Sequence, residues 1–219
     1  MSGRRGLLIL FARAPRLGTV KRRLARGAGD VAALRFHRAM LRALARRLGR
    51  DRRWRTVMAV TPDRARFPIA LPRVPQGRGD LGERMARALA RDRRRAVLVG
   101  SDIPGIRAGD VAAAFRALAG RADAVFGPAE DGGYWLVGLG PRRPAAPFRG
   151  VRWSGPHALA DTVRNCRGKR VAFGRRLRDV DDAAGLAAWR AGASRRRGAA
   201  GASAPGLVSV LGAGPPPAR

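Results

Sequence analysis

A loop that bears glycine and cations and follows a buried strand can hold an anion. Such a loop runs Phe11-Ala12-Arg13-Ala14-Pro15-Arg16-Leu17-Gly18-Thr19-Val20-Lys21-Arg22-Arg23-Leu24. Backbone N–H groups around Gly18, with the fixed charge of Arg13, Lys21 and Arg23, would suit a diphosphate. The loop is not a Walker A sequence, and G-x-G-x-x-G is absent. A plain basic surface loop accounts for the same residues, so two readings stay open. Lys21 favours the functional one, because Lys21 and Lys169 are the only lysines in the chain.

A second candidate is Asp102, in Val97-Leu98-Val99-Gly100-Ser101-Asp102-Ile103-Pro104. A carboxylate at the carboxyl end of a central strand is a hard oxygen ligand for Mg²⁺ or Mn²⁺ bridging substrate phosphates. The competing explanation is an Asx turn, in which the carboxylate accepts local N–H groups. A third candidate is Phe126-Gly127-Pro128-Ala129-Glu130-Asp131-Gly132-Gly133-Tyr134-Trp135. Its glycines would let the backbone approach a sugar closely while Asp131 binds or deprotonates a hydroxyl. Asp-Gly between two strands is equally a hairpin signal. Glu83 and Glu130 are the only glutamates, so acids are scarce here.

Gln76-Gly77-Arg78-Gly79-Asp80-Leu81-Gly82-Glu83 holds D-x-x-E before a helical pattern, and a capping box explains both acids. Arg178-Asp179-Val180-Asp181-Asp182 places three acids in four positions, suited either to completing a metal site or to starting a helix capped by Asp182. His37 falls within a helical pattern and reads as packing. His157 and Cys166 lack complementary partners, so no nucleophilic triad is expected.

These residues need elements to position them. Residues 6–11, GLLILF, form a short apolar run expected of a strand buried on both faces. From Asp30, read as an N-cap, Val31, Leu34, Met40, Leu41, Leu44 and Leu48 recur at helical spacing up to Gly49. Further strands are expected at 54–60, 96–99, 123–126 and 134–139, with helices near 82–91 and 109–118. The alternation predicts an α/β architecture with a central, mostly parallel sheet, and ligands bound outside the carboxyl ends of its strands.

The chain has 219 residues with a formal charge of +31, from 46 Lys and Arg against 15 acids. Such a charge attracts polyanions. Two lysines leave 44 arginines, spread along the whole chain among abundant alanines, a pattern expected of GC-rich codons. Neither a helix-turn-helix signal, zinc-finger spacing nor an aromatic platform is visible, so no specific nucleic-acid partner is expected. One cysteine excludes an internal disulfide framework and a multi-thiolate zinc site. The apolar run after Arg5 is too short for export or membrane insertion, so a cytoplasmic protein is expected. Residues 1–194 read as one domain and residues 195–219, rich in Arg, Gly, Ala and Pro, as a flexible tail.

Taken in order, FARAPRLGTVKRRLA, QGRGDLGERM, VLVGSDIPGI, VFGPAEDGGYWLVGL, Val151-Arg152-Trp153-Ser154 and RDVDDAAGL resemble the bacterial radical-SAM/selenodomain-associated transferase family. That family is also described as arsenosugar-biosynthesis-type glycosyltransferases, within the nucleotide-diphospho-sugar transferase superfamily. The resemblance implies a three-layer GT-A-like, Rossmann-like fold. It assigns Arg13, Gly18, Lys21, Arg23, Gln76 and Asp80 to nucleotide binding, Asp102 and Asp181 to Mg²⁺ or Mn²⁺, and Asp131 to the transferred group. Two motifs depart from the family: Lys21-Arg22-Arg23-Leu24 stands for K-T-R-L, and in D-V-D-T-x-x-D-L Asp182 replaces Thr and Gly185 the last Asp. The implied activity is metal-dependent glycosyl transfer from a nucleotide-diphosphate donor to a small-molecule acceptor. A nucleotidyltransferase acting on a phosphorylated metabolite is the alternative, and a noncatalytic polyanion-binding protein is the reading from another class.

Overall fold

Along β1 (Gly6–Arg13), Leu7 and Ile9 face one side of a sheet while Leu8 and Leu10 face the other, and all four are buried. A strand apolar on both faces must be covered on both, which dictates three layers. The computed structural model describes residues 5–65, 67, 69–180, 182, 184–187 and 208–209. After β1 come α1 (Arg22–Ala28), α2 (Asp30–Gly49), β2 (Trp54–Thr61), β3 (Arg73–Pro75), α3 (Leu81–Leu89), β4 (Ala96–Gly100) and α4 (Ala108–Ala119). β5 (Ala124–Pro128), β6 (Tyr134–Leu139), α5 (Ala158–Arg164), β7 (Val171–Phe173) and β8 (Val208–Ser209) complete the order.

The sheet order is β3-β2-β1-β4-β6-β5-β7-β8. β1 pairs in parallel with β2 and β4, and β5 with β7, whereas β6 runs antiparallel to both β4 and β5. The expected mostly parallel α/β sheet is therefore present. From β1 the chain steps outward to β2 and β3, then returns to place β4 on the opposite side of β1. The reversal opens a crevice at the carboxyl ends of β1 and β4, where open α/β sheets bind ligands. The loop after Arg13 and the turn holding Asp102 both leave from that crevice.

One face of the sheet carries Leu41, Leu44 and Leu48 of α2 with Val111, Ala114 and Leu118 of α4. The other carries Met85 and Leu89 of α3 with Leu159 near the start of α5. Leu24, Ala33, Val180 and Leu186 make a smaller cluster that fastens α1 and α2 to the segment after β7. Asp30 does not cap α2: Gly29, at φ 82, is its N-cap, and Asp30 lies in the first turn, where its charge suits the helix dipole. Asp182 does act locally, its Oδ1 accepting from Gly185 N at 2.7 Å.

β3, β7, α1 and α5 are short elements without a clear period, and the sequence reading does not include them. Within 195–219, Val208–Ser209 pairs antiparallel with β7, so these two residues belong to the sheet. The rest of 195–219 lies outside the described residues, as does Asp181. No described helix is long and apolar enough to cross a membrane.

Candidate active-site cleft

Gly18 at φ 71 and Lys21 at φ 51 turn the loop after β1 back on itself. The turn is stitched by Arg16 N to Ala14 O at 2.9 Å, Thr19 Oγ1 to Arg16 O at 3.0 Å and an Arg13 guanidinium N–H to Thr19 O at 3.2 Å. Val20 is buried and anchors it. A lysine in the left-handed region costs about 1–2 kcal/mol, which its surroundings must offset. The side chain explains how: it is 3% exposed and carries Nζ to 3.3 Å from Asp102 Oδ1. Residue 21 from the end of β1 and residue 102 from the end of β4 thus meet at the crevice.

Asp102 stays 53% exposed on its other side. Behind it lies His37 of α2, whose side chain is 3% exposed. His37 Nε2 sits 3.1 Å from the Arg13 carbonyl, which only accepts, so Nε2 carries a hydrogen and donates it. Nδ1 then faces Asp102 Oδ1 at 3.8 Å, and among the described residues it is the buried side-chain polar atom without a hydrogen bond. His37 is packed, as its helical position suggests, and it also backs the Asp102 carboxylate.

The crevice continues into a cleft of about 390 Å³ lined by Asp102, Asp131 and Asp179, with Leu81, Met85, Tyr134 and Trp153 among its walls. Asp131 sits in the β5–β6 hairpin, its Oδ1 accepting from Gly133 N at 2.9 Å. Turn chemistry and a place in the cleft therefore hold together for this residue. Gly132, at φ 84, lies so close to the Pro156 backbone that a side chain would collide with it. Leu159 N donates to Gly132 O at 3.0 Å, locking the hairpin to the loop that carries Trp153. That loop is clamped in turn, since Arg152 Nε and one terminal guanidinium nitrogen each donate to Asp161 at 2.9 Å. The Arg152 guanidinium and backbone N–H hold the Asp161 carboxyl well below the usual carboxylate range, outweighing its burial. Burial pushes the Tyr134 hydroxyl far up, so it stays protonated and is no base.

The remaining sequence candidates fall elsewhere. Gln76 is 1% exposed, donates to Ala12 O and Ala59 O, and accepts from Arg84 at 3.2 Å, so it ties β1, β2 and α3 together. Asp80 caps α3 in a reciprocal box with Glu83, at 2.8 and 2.9 Å. Neither lines the cleft, and their polar groups are committed within the fold. Arg13 and Arg23 are exposed beside the crevice. Glu130 pairs with Arg178 at 3.6 Å on the surface. Cys166 is buried, its thiol pushed up to about 12 by that burial, which makes it a poor nucleophile. Asp179 and Trp153 entered the sequence reading only as parts of motifs, without a role.

No described cluster of three metal-ligating side chains exists. Mg²⁺ needs few protein ligands, commonly one or two carboxylates with water and substrate phosphates filling the remainder. Half-exposed Asp102 fits that chemistry, provided a nucleotide supplies the other oxygens.

A crystal structure of a candidate nucleotide-diphospho-sugar transferase from Desulfovibrio desulfuricans G20 is similar over 82% of this chain and 84% of that one, with 29% identity and a TM-score of 0.75. CMP:2-keto-3-deoxy-manno-octonic acid synthetase complexed with CTP shares the fold at 13% identity and a TM-score of 0.53, covering 88% of this chain and 99% of that one. No curated protein sequence matches. The fold is that of the nucleotide-diphospho-sugar transferases. The family described as "Uncharacterized protein conserved in bacteria (DUF2064)" matches residues 36–155, which is 120 of 219 residues, and to that family this chain belongs.

Proposed function

We propose that the chain is a metal-dependent glycosyltransferase of the cytoplasm, moving a sugar from a nucleoside-diphosphate donor to a hydroxyl of a small molecule. The observation that carries this reading is the meeting of Lys21 and Asp102 at 3.3 Å, at the switch point of the sheet and on the edge of the cleft. Lys21, with Arg13 at the end of β1 and Arg23 in the first turn of α1, would hold the diphosphate. Asp102 would hold Mg²⁺ or Mn²⁺ with Asp181 as its second carboxylate; the ion, when bound, supplies positive charge opposite the departing phosphate. The bond from the sugar's anomeric carbon to the phosphate oxygen breaks, and its electron pair leaves with the nucleoside diphosphate. An acceptor oxygen forms the new bond to that carbon, and its proton passes to Asp131. The resemblance of the ordered motifs to those of the radical-SAM/selenodomain-associated, arsenosugar-type transferases supports this reading.

The test is a thermal-unfolding screen of nucleoside di- and triphosphates and nucleotide sugars, each with and without Mn²⁺. A ligand at about 100 times its dissociation constant stabilises the fold by about 2.7 kcal/mol. Metal and nucleotide should stabilise the wild type jointly, and neither should do so alone to the same extent. Asp102→Asn should lose the joint effect, and turnover should fall about 100-fold or more. Retention of both would refute the assignment. Release of pyrophosphate, rather than nucleoside diphosphate, would identify nucleotidyl transfer instead.

A further inference from the structure

We infer that His37 is a nitrogen ligand for the ion held at Asp102, and that it biases the site toward Mn²⁺ and away from Mg²⁺; this rests on the metal-dependent transferase reading above. His37 Nδ1 is buried, makes no hydrogen bond, and faces Asp102 Oδ1 at 3.8 Å. That gap is too wide for a hydrogen bond. With the Nε2 hydrogen donated to the Arg13 carbonyl at 3.1 Å, Nδ1 presents a bare lone pair to a carboxylate oxygen. A cation bound to both atoms would resolve that arrangement, and two metal–ligand bonds of about 2.1 Å each reach across 3.8 Å. Lys21 Nζ meets the same oxygen at 3.3 Å, yet no hydrogen bond reaches Nδ1.

The other ring nitrogen supports the assignment. Histidines that bind metals commonly donate their second ring N–H to a backbone carbonyl or a carboxylate, which fixes the ring and aims one lone pair at the ion. For His37 that acceptor is the Arg13 carbonyl, so α2 supplies the imidazole, the end of β1 anchors it, and the turn after β4 supplies the facing carboxylate. Packing alone would leave Nδ1 as a buried acceptor without a donor, a costly arrangement that a carbon side chain avoids. The ligand set also discriminates between ions. Mg²⁺ takes oxygen ligands in near-ideal octahedra, whereas a transition ion such as Mn²⁺ gains more from an imidazole nitrogen.

The experiment uses the full chain with Mn²⁺ and inorganic pyrophosphate, a nitrogen-free stand-in for the donor diphosphate. Electron spin-echo envelope modulation of the bound Mn²⁺ reads the nitrogens attached to it. His37 and the exposed His157 are the only histidines, so a chain grown with ¹⁵N-histidine should show ¹⁵N coupling at Mn²⁺. That coupling should persist in His157→Gln and vanish in His37→Gln. The labelled wild type and His157→Gln decide the ligand even if His37→Gln does not fold. Bound Mn²⁺ without histidine coupling, or coupling lost in His157→Gln, would overturn the inference. In titrations with pyrophosphate, His37→Gln should weaken Mn²⁺ binding about tenfold or more and Mg²⁺ binding by less than about threefold. Equal losses would overturn the bias between ions. Failure of pyrophosphate to bring Mn²⁺ to the chain would also overturn the inference. The transferase reading falls only if no nucleoside diphosphate or nucleotide sugar recruits Mn²⁺ either, so the two failures are separable.

Discussion

Lys21→Met should move two affinities in opposite directions. Nζ lies 3.3 Å from Asp102 Oδ1, an attraction of about 1.3 kcal/mol in a fully aqueous dielectric and about 5 kcal/mol at the effective dielectric of a protein surface. Because Asp102 is 53% exposed, the lower end governs, at about 1–2 kcal/mol. The ammonium sits on the oxygen that a divalent ion would use. Methionine keeps an unbranched apolar stem in the buried channel and removes the charge. Without nucleotide, Mn²⁺ binding should therefore tighten by a factor of about 5–30. With nucleoside diphosphate present, the phosphates lose a charged donor worth about 1.5–3 kcal/mol, which exceeds the gain of about 1–2 kcal/mol at Asp102, so joint binding should weaken by about threefold. Electron paramagnetic resonance of free Mn²⁺ measures both, in titrations with and without the nucleotide. If the two affinities shift the same way, Lys21 does not alternate between carboxylate and phosphate.

Gly132→Ala should destabilise the protein by about 1–3 kcal/mol, because φ 84 disfavours a side chain and the new methyl would meet the Pro156 backbone. An unchanged urea midpoint would show that the hairpin and the Trp153 loop are not locked as described. The Asp161 carboxyl is held low when folded, so its stabilisation is complete above the ordinary value of 3.8 and is lost as pH falls through the depressed value. The stability gap between wild type and Asp161→Asn should stay level from pH 7 to about 5 and narrow only below about 4. A gap that closes near neutral pH would contradict the Arg152–Asp161 clamp.

Much of the fold was legible because its long elements carry strong periods. GLLILF announces a strand buried on both faces, and the Leu41-Leu44-Leu48 stripe announces α2. The expected strands at 54–60, 96–99 and 134–139 lie within a residue of β2, β4 and β6. The antiparallel placing of β6 between β4 and β5 was not legible, since an Asp-Gly turn indicates a hairpin but not which strand its second arm joins. The candidate site divides in the same way. Asp102 was visible as a carboxylate ending an apolar strand, while Gln76 and Asp80, assigned to nucleotide by motif, spend their polar groups on packing and capping.

Residue types and local period, taken alone, determined that this chain is a layered α/β protein with anion-suited and carboxylate-bearing loops after its strands. Tertiary structure decided which of those loops meet. Residues 21, 37 and 102 lie far apart along the chain, and parallel pairing of β1 with β4 brings their side chains within 4 Å. Trp153 and Asp131 became neighbours in one cleft only through the packing of Gly132 against Pro156. Period is a property of neighbours in sequence, whereas a site is made by strand order and close packing, which depend on every layer at once.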